Sequence, residues 1–269
     1  MEIRIGADIG GTSVKLVCTD NNDNILAKTV YTKDNSSERL AAELEKIKHI
    51  AGADTDTVYC TGVGGGLILT LKDRYTPVFV SEFESFGRGA RILSGMDDII
   101  AVSMGTGTAF VRVQGDEYTH LGGSGIGGGT FGGLGERFLG VNDIHVLDTM
   151  SENGDTSKVD LTVGDISAGD VSGIDPKLTA SNFGKPRCEC SDDDIAAGIA
   201  NMIYQCAGVM AALACKGTDI RTAVFVGAMA GSPFGRKVLM DVSQLHPGIG
   251  FIIPENSTFA GAVGSCSVR

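Results

Sequence analysis

The sequence predicts an α/β protein made of two related lobes with a cleft between them. Two observations carry this reading. A unit of apolar strand, glycine turn and apolar strand occurs twice, at residues 3–19 and 99–114. Glycine is also abundant, at 39 of 269 residues, about twice ordinary usage. It gathers in clusters behind apolar runs, where turns close strands, with no collagen period and no featureless Gly/Ser tract.

The elements follow in order. Residues 3–7 alternate in polarity as a strand does, Gly10 and Gly11 turn the chain, and residues 14–19 return it. A turn at 21–24 leads to a third strand over 25–31. Residues 36–51 have helical spacing at Leu40, Leu44 and Ile47, with Ser36 or Ser37 as N-cap. Short apolar strands follow at 58–61 and 77–80. The second unit begins near Asp98, with strands at 99–104 and 109–114 around a turn at 105–107. Helices are expected over 130–139 and 141–150, and residues 164–185 read as loop-rich. Asp192–Lys216 is a long apolar helix capped by residues 191–194. It serves either as a dimer surface or as an internal core helix. A strand at 223–226, a helix at 233–245, a strand at 250–253 and a helix at 258–266 close the chain. The lobes divide as residues 1–97 and 98–269.

Bulk properties exclude several classes. A net charge of −11 and a pI near 4.8 argue against nucleic acid or an anionic membrane surface as partner. No run of about 18 apolar residues suggests a membrane span, and the first residues carry no charged or cleavage pattern of a signal peptide. The seven cysteines are scattered and mostly within apolar segments, so they read as free buried thiols suited to a cytoplasmic location. Cys188 and Cys190 are too close for a zinc knuckle.

Three glycine segments carry the chemistry. In Asp8-Ile-Gly10-Gly11-Thr12-Ser-Val-Lys15 the glycines let backbone N–H groups approach a phosphate, Thr12 adds a hydroxyl and Lys15 a charge. Asp8, at a strand end, suits Mg²⁺ held through water. Gly105-Thr106-Gly107-Thr108 repeats this chemistry in the second unit. Either turn alone could be plain punctuation between strands, but two at matching places point to a nucleotide. The third segment, residues 122–135, leads into a helix, which makes Gly127, Gly128 and Gly129 an anion site at a helix start. It also spells G-x-G-x-x-G at Gly123, Gly125 and Gly128, with Asp143 downstream. The dinucleotide reading is set aside because a hairpin precedes the motif and no βαβ unit follows.

Taken together, these residues resemble type II pantothenate kinases, a branch of the acetate-and-sugar-kinase/Hsp70/actin superfamily. The resemblance extends to Leu178-Thr-Ala-Ser-Asn-Phe-Gly184, Val224-Phe-Val-Gly227 and Pro254-Glu-Asn-Ser-Thr-Phe-Ala-Gly-Ala. It implies two related actin/ribonuclease-H-like lobes with an ATP cleft between them. It further implies a homodimer that uses ATP and Mg²⁺ to phosphorylate the primary hydroxyl of pantothenate, the first step of coenzyme A synthesis. The catalytic base falls on Glu82 in Val80-Ser-Glu82-Phe-Glu84, with Glu84 as fallback, and a carboxylate after an apolar strand can accept a hydroxyl proton. Nucleotide contacts are implied for Asp8, Gly10, Gly11, Thr12, Lys15, residues 105–108 and 127–129, Phe183, Gly184 and Gly227. On the substrate side stand Glu82, Thr106, His120 and Gly122. At His120 the family carries Arg, and a neutral imidazole cannot supply the bidentate permanent charge of a guanidinium. Pantetheine or another small alcohol without the carboxylate is therefore an alternative substrate. Two further readings share the fold. A partner-activating ATPase would need a bridging cysteine arrangement that Cys188-Glu-Cys190 does not supply. A sugar-responsive repressor would need an N-terminal helix-turn-helix, where this chain starts with a strand.

Overall fold

β1 (Arg4–Ile9) and β2 (Ser13–Thr19) form a tight antiparallel hairpin that pairs Asp8 with Lys15. Apolar β-branched and small residues build its buried interior, with Ile5, Ala7, Ile9 and Val14 fully enclosed. β3 (Ile25–Thr32) extends the meander. α1 (Ser37–Ala51) starts at Ser36, whose Oγ accepts the Arg39 N–H at 3.1 Å, and ends at Gly52 in the left-handed region. Its Leu40, Leu44 and Ile47 pack into the same core. β4 (Thr57–Thr61) runs parallel to β1, and β5 (Thr76–Phe79) parallel to β4. The strand order is β3-β2-β1-β4-β5. This computed structural model describes residues 2–167, 175–186 and 189–268. Cys188 lies outside the described residues.

α2 (Glu82–Ser94) crosses to the second sheet. There β6 (Asp98–Met104), β7 (Thr108–Gln114) and β8 (Glu117–Ser124) repeat the antiparallel meander. α3 (Gly128–Leu139) and α4 (Ile144–Asn153) follow. A two-stranded ribbon of β9 (Leu161–Thr162) and β10 (Thr179–Ser181) flanks the short α5 (Val163–Ile166). α6 (Asp192–Lys216) leads to β11 (Thr222–Val226), α7 (Pro233–Gln244), β12 (Gly250–Ile252) and α8 (Ala260–Cys266). β11 is parallel to β6 and β12 to β11. From its opposite edge this sheet reads β8-β7-β6-β11-β12. Both sheets therefore have three antiparallel strands followed by two parallel ones, so the two lobes are related, as the repeated hairpin predicts.

The last helix of each half packs across the boundary. α2 lies on β6, β7 and β8, whereas α8 returns to β1 and β4. The two helices cross at glycines. A Cβ on Gly89 would stand 1.9 Å from the Ala260 carbonyl oxygen, and one on Gly264 would stand 1.8 Å from that of Ser85. Backbone-to-backbone contact at that spacing excludes any side chain.

Several expectations need correction. The helix over 82–94 is not predicted by the sequence, because Ser85, Gly87 and Gly89 depress helical propensity. The 122–135 segment is not one loop: residues 122–124 complete β8 and α3 starts at Gly128. α4 begins at Ile144 rather than 141, since the Asp143 carboxylate caps it by accepting the His145 and Val146 N–H groups. Within the loop-rich 164–185 stretch lies the β10 strand. α6 is long and apolar enough, by length and composition, to cross a membrane, contrary to the expectation that no segment is. With 67% of that window buried, it is the core helix of the second lobe, packed on β6 and β11.

Candidate active site

The turns after β1 and β6 face each other across the cleft. A Cβ on Gly11 would lie 3.4 Å from Thr106 Oγ1. Between them is a cavity of about 460 Å³, lined by Asp8, Gly10, Gly11, Thr12, Lys15, Glu82, residues 105–108, Gly128, Gly129 and Gly227. The two halves of the sequence motif set thus meet in one place. Among the described residues, no hydrogen bond engages the backbone N–H of Gly11, Thr12, Thr106 or Gly107. Such unpaired amides on glycine turns form a cradle for phosphate oxygens.

Asp8 and Lys15 face each other on the β1–β2 hairpin, with Nζ 3.6 Å from Oδ2 and little exposure of either side chain. Glycines flank the Asp8 carboxylate: a Cβ on Gly62 would come within 2.9 Å of Oδ1, and one on Gly261 within 2.8 Å of Oδ2. The space beside both oxygens is thereby kept open. Glu82 is the first residue of α2 and opens onto the same cavity. Its side chain is exposed toward the cleft, yet surrounding protein crowds it and pushes its carboxyl above the ordinary glutamate value. Asp8 adds to that rise and Lys15 opposes it.

The second turn is braced by the helix behind it. The N–H groups of Gly128 and Gly129 donate to the carbonyls of Gly105 and Thr106 at 2.8 and 2.9 Å. These amides therefore fix the turn, and Gly127, behind them, does not line the cavity. Thr108 is buried, and its hydroxyl donates to the Ile126 carbonyl at 2.8 Å. Gly227 has φ 96°, and a Cβ there would meet the Met104 carbonyl oxygen at 2.6 Å. Only glycine suits this conformation and this approach.

Other expected residues lie apart from the cavity. His120 and Gly122 sit on the edge strand β8, where Phe110 pairs with Gly122 and Val111 with His120, so Leu121 bulges out. His120 stacks on Phe83, beside Glu82. Phe183 and Gly184 belong to a turn tied down elsewhere. The buried Asp160 carboxylate accepts the Phe183 N–H at 2.8 Å and Asn201 Nδ2 at 2.7 Å, and Asn182 Nδ2 donates to Gln205 Oε1 at 3.2 Å. The motif is thus tied to α6 through the buried Asp160 and Asn201, while Phe183 itself stays exposed. Glu84, the fallback base, pairs with Arg88. Val63, Ser103 and Met229 also line the cavity, and no sequence motif points to them. They follow or sit within strand ends, and only the pairing of strands reveals that.

Two five-stranded sheets of one topology, with facing glycine turns, define the class: an actin- and hexokinase-like fold with two lobes around a cleft. The chain belongs to the Fumble family, whose model matches residues 97–239. It is similar to the type II pantothenate kinase of Bacillus cereus (strain AH820), at 28% identity over 85% of this chain and 83% of that protein. It is also similar to that of Staphylococcus haemolyticus (strain JCSC1435), at 26% identity over 98% of each chain. Among solved structures, the activator of the 2-hydroxyisocaproyl-CoA dehydratase from Clostridium difficile with bound ADPNP superposes with a TM-score of 0.67 at 18% identity, covering 98% of this chain and 93% of that one. A ROK family glucokinase from Streptomyces griseus, in complex with glucose and AMPPNP, gives 0.61 at 15% identity, covering 98% of each. The structures support the fold.

Proposed function

We propose that the chain transfers the γ-phosphoryl group of ATP to the primary hydroxyl of pantothenate. The observation that carries this is the placement of Glu82 in the same cavity as the two facing glycine turns and the Asp8–Lys15 pair. The relatives named type II pantothenate kinase support the substrate.

In this reading the amides of residues 11–12 and 106–107 hold the phosphates and Lys15 adds positive charge. Glu82 accepts the proton of the acceptor hydroxyl as its oxygen attacks the γ-phosphorus and the bond to the ADP oxygen breaks. A raised carboxyl value makes Glu82 a better proton acceptor than an ordinary glutamate. Asp8 fits a Mg²⁺ ion: the site offers one hard carboxylate with open space beside both oxygens. Magnesium commonly takes one or two protein carboxylates and completes its shell with water and phosphate. When bound, the ion neutralises charge that develops on the phosphates. Asp8 would hold it, and Gly62 and Gly261 would leave room for it.

The test is ADP release from MgATP with pantothenate, pantetheine and several sugars offered separately. Turnover with pantothenate is expected. Turnover with a sugar alone, or ATP hydrolysis indifferent to every alcohol, would overturn the assignment.

A further inference from the structure

We infer that Lys33 is a specificity-determining residue, the cation that receives the carboxylate of an acid acceptor bound beside Glu82. The inference rests on the alcohol-kinase reading above.

Lys33 follows β3 directly, and its N–H donates to the Thr12 carbonyl at 2.9 Å, which anchors its backbone beside the first glycine turn. The side chain then crosses that turn. Its Nζ stands 2.6 Å from where a Cβ on Gly64 would be, and that same point lies 2.9 Å from the Gly10 carbonyl oxygen. The absent side chain at Gly64 is the room the ammonium occupies. Lys33 is half-buried there. Among the described residues it has no acid partner and no side-chain hydrogen bond, unlike Lys15, Lys46, Lys48 and Lys185, each paired with a carboxylate. A cation held beside a phosphate turn without a counter-ion is arranged for a charge the protein does not contain.

The position relative to Glu82 follows from the sheet. Gly64 ends the turn after β4, and a Cβ on its neighbour Gly65 would lie 3.5 Å from the Phe79 ring at the end of β5. Three residues on is Glu82. Lys33 Nζ thus lies past the end of β4, and Glu82 past the end of the adjacent parallel strand β5. The surface between them is apolar and open: Val63 is 82% exposed and Phe79 54%. An ω-hydroxy acid with a branched apolar centre fits this order, with hydroxyl at Glu82, apolar centre on Val63 and Phe79, and carboxylate at Lys33. Of the charged groups lining the cavity, Asp8 and Glu82 repel an anion, and Lys15 is already engaged by Asp8. His120 stacks on Phe83, and an imidazole lacks the permanent, bidentate charge of a guanidinium.

The test compares KM for pantothenate with KM for pantetheine, which lacks the carboxylate, in the unsubstituted protein, Lys33→Gln and Lys33→Arg. In Lys33→Gln the ratio of the two values should rise about tenfold, as expected when a charge-assisted hydrogen bond is removed. Lys33→Arg should restore most of it, and KM for MgATP should hold. An unchanged ratio, or a rise confined to MgATP, overturns the role of Lys33 while leaving the kinase intact. If the unsubstituted protein phosphorylates neither alcohol, the kinase reading fails and this inference falls with it.

Discussion

The imidazole of His120 stacks on the ring of Phe83, with centroids 3.9 Å apart and 16° between planes. His120 belongs to the edge strand of the second sheet, and Phe83 follows the candidate base at the start of α2. The stack therefore ties the first turn of the base-bearing helix to β8, and the bulge at Leu121 sets the register that permits it.

From this it follows that Phe83→Ala should loosen Glu82 more than it loosens the fold. We expect kcat/KM to fall about tenfold, the size of effect one ring–ring interaction has when it holds a reacting group in place. Thermal melting should shift only slightly. Steady-state kinetics beside a melting curve separates the two effects, and a large loss of stability with normal kinetics would contradict the positioning role.

The raised carboxyl of Glu82 makes a pH prediction. Its main cause is crowding, with Asp8 second, so folding disfavours the ionised form. The proposed base role needs that form, so the acid limb of the kcat profile should lie above the ordinary value of about 4.3. For stability the sign is reversed: the contribution of the protonated group favours folding below the unfolded value and is lost as pH rises through the folded one. Glu82→Gln should thus melt at or slightly above the parent temperature near neutral pH, with the difference shrinking toward pH ~4. A lower melting temperature at neutral pH would show that the charge is stabilising.

The crossing of α2 over α8 predicts severe intolerance at one glycine. Gly264→Ala would drive a methyl group to 1.8 Å from the Ser85 carbonyl oxygen. The helices must separate, at about 1–3 kcal/mol or more, as for an overpacked core. Because α2 begins at Glu82, activity should fall as well. Urea unfolding and kinetics on the purified variant check both.

Much of the fold was legible in the sequence, and its limits trace to particular residues. The strand–glycine–strand repeat revealed both hairpins because their pairing is local, as Asp8 opposite Lys15 shows. Ser36 and Ser191 marked their helices through capping, again a local effect. α2 was hidden because Gly87 and Gly89 serve long-range packing rather than helical propensity: a Cβ on Gly87 would meet the Tyr118 ring at 2.9 Å. The convergence of Asp8, Glu82 and Gly227 required the two sheets to face each other, which pattern alone cannot supply. The segment 178–184 carries its signature for a reason sequence could not show, since its partner Asp160 is fixed only when α6 packs.

Thiol chemistry offers an independent check of the core. Cys18 and Cys60 are pushed up to about 12, and Cys215 and Cys266 to about 11, in each case chiefly by burial. The thiolate is the reactive form, so these four should resist alkylation in the folded protein and react after unfolding. Peptide mapping after brief iodoacetamide treatment reads this directly. Rapid labelling of Cys18 or Cys266 in the native state would contradict the packing of α8 on the first sheet.

The most direct test of the central claim is ADP release with MgATP and pantothenate for the parent protein and for Glu82→Gln, with ATP affinity measured in parallel. Turnover is expected in the parent, with a loss of about 100-fold or more in the variant and unchanged ATP binding. Normal turnover by Glu82→Gln would contradict it.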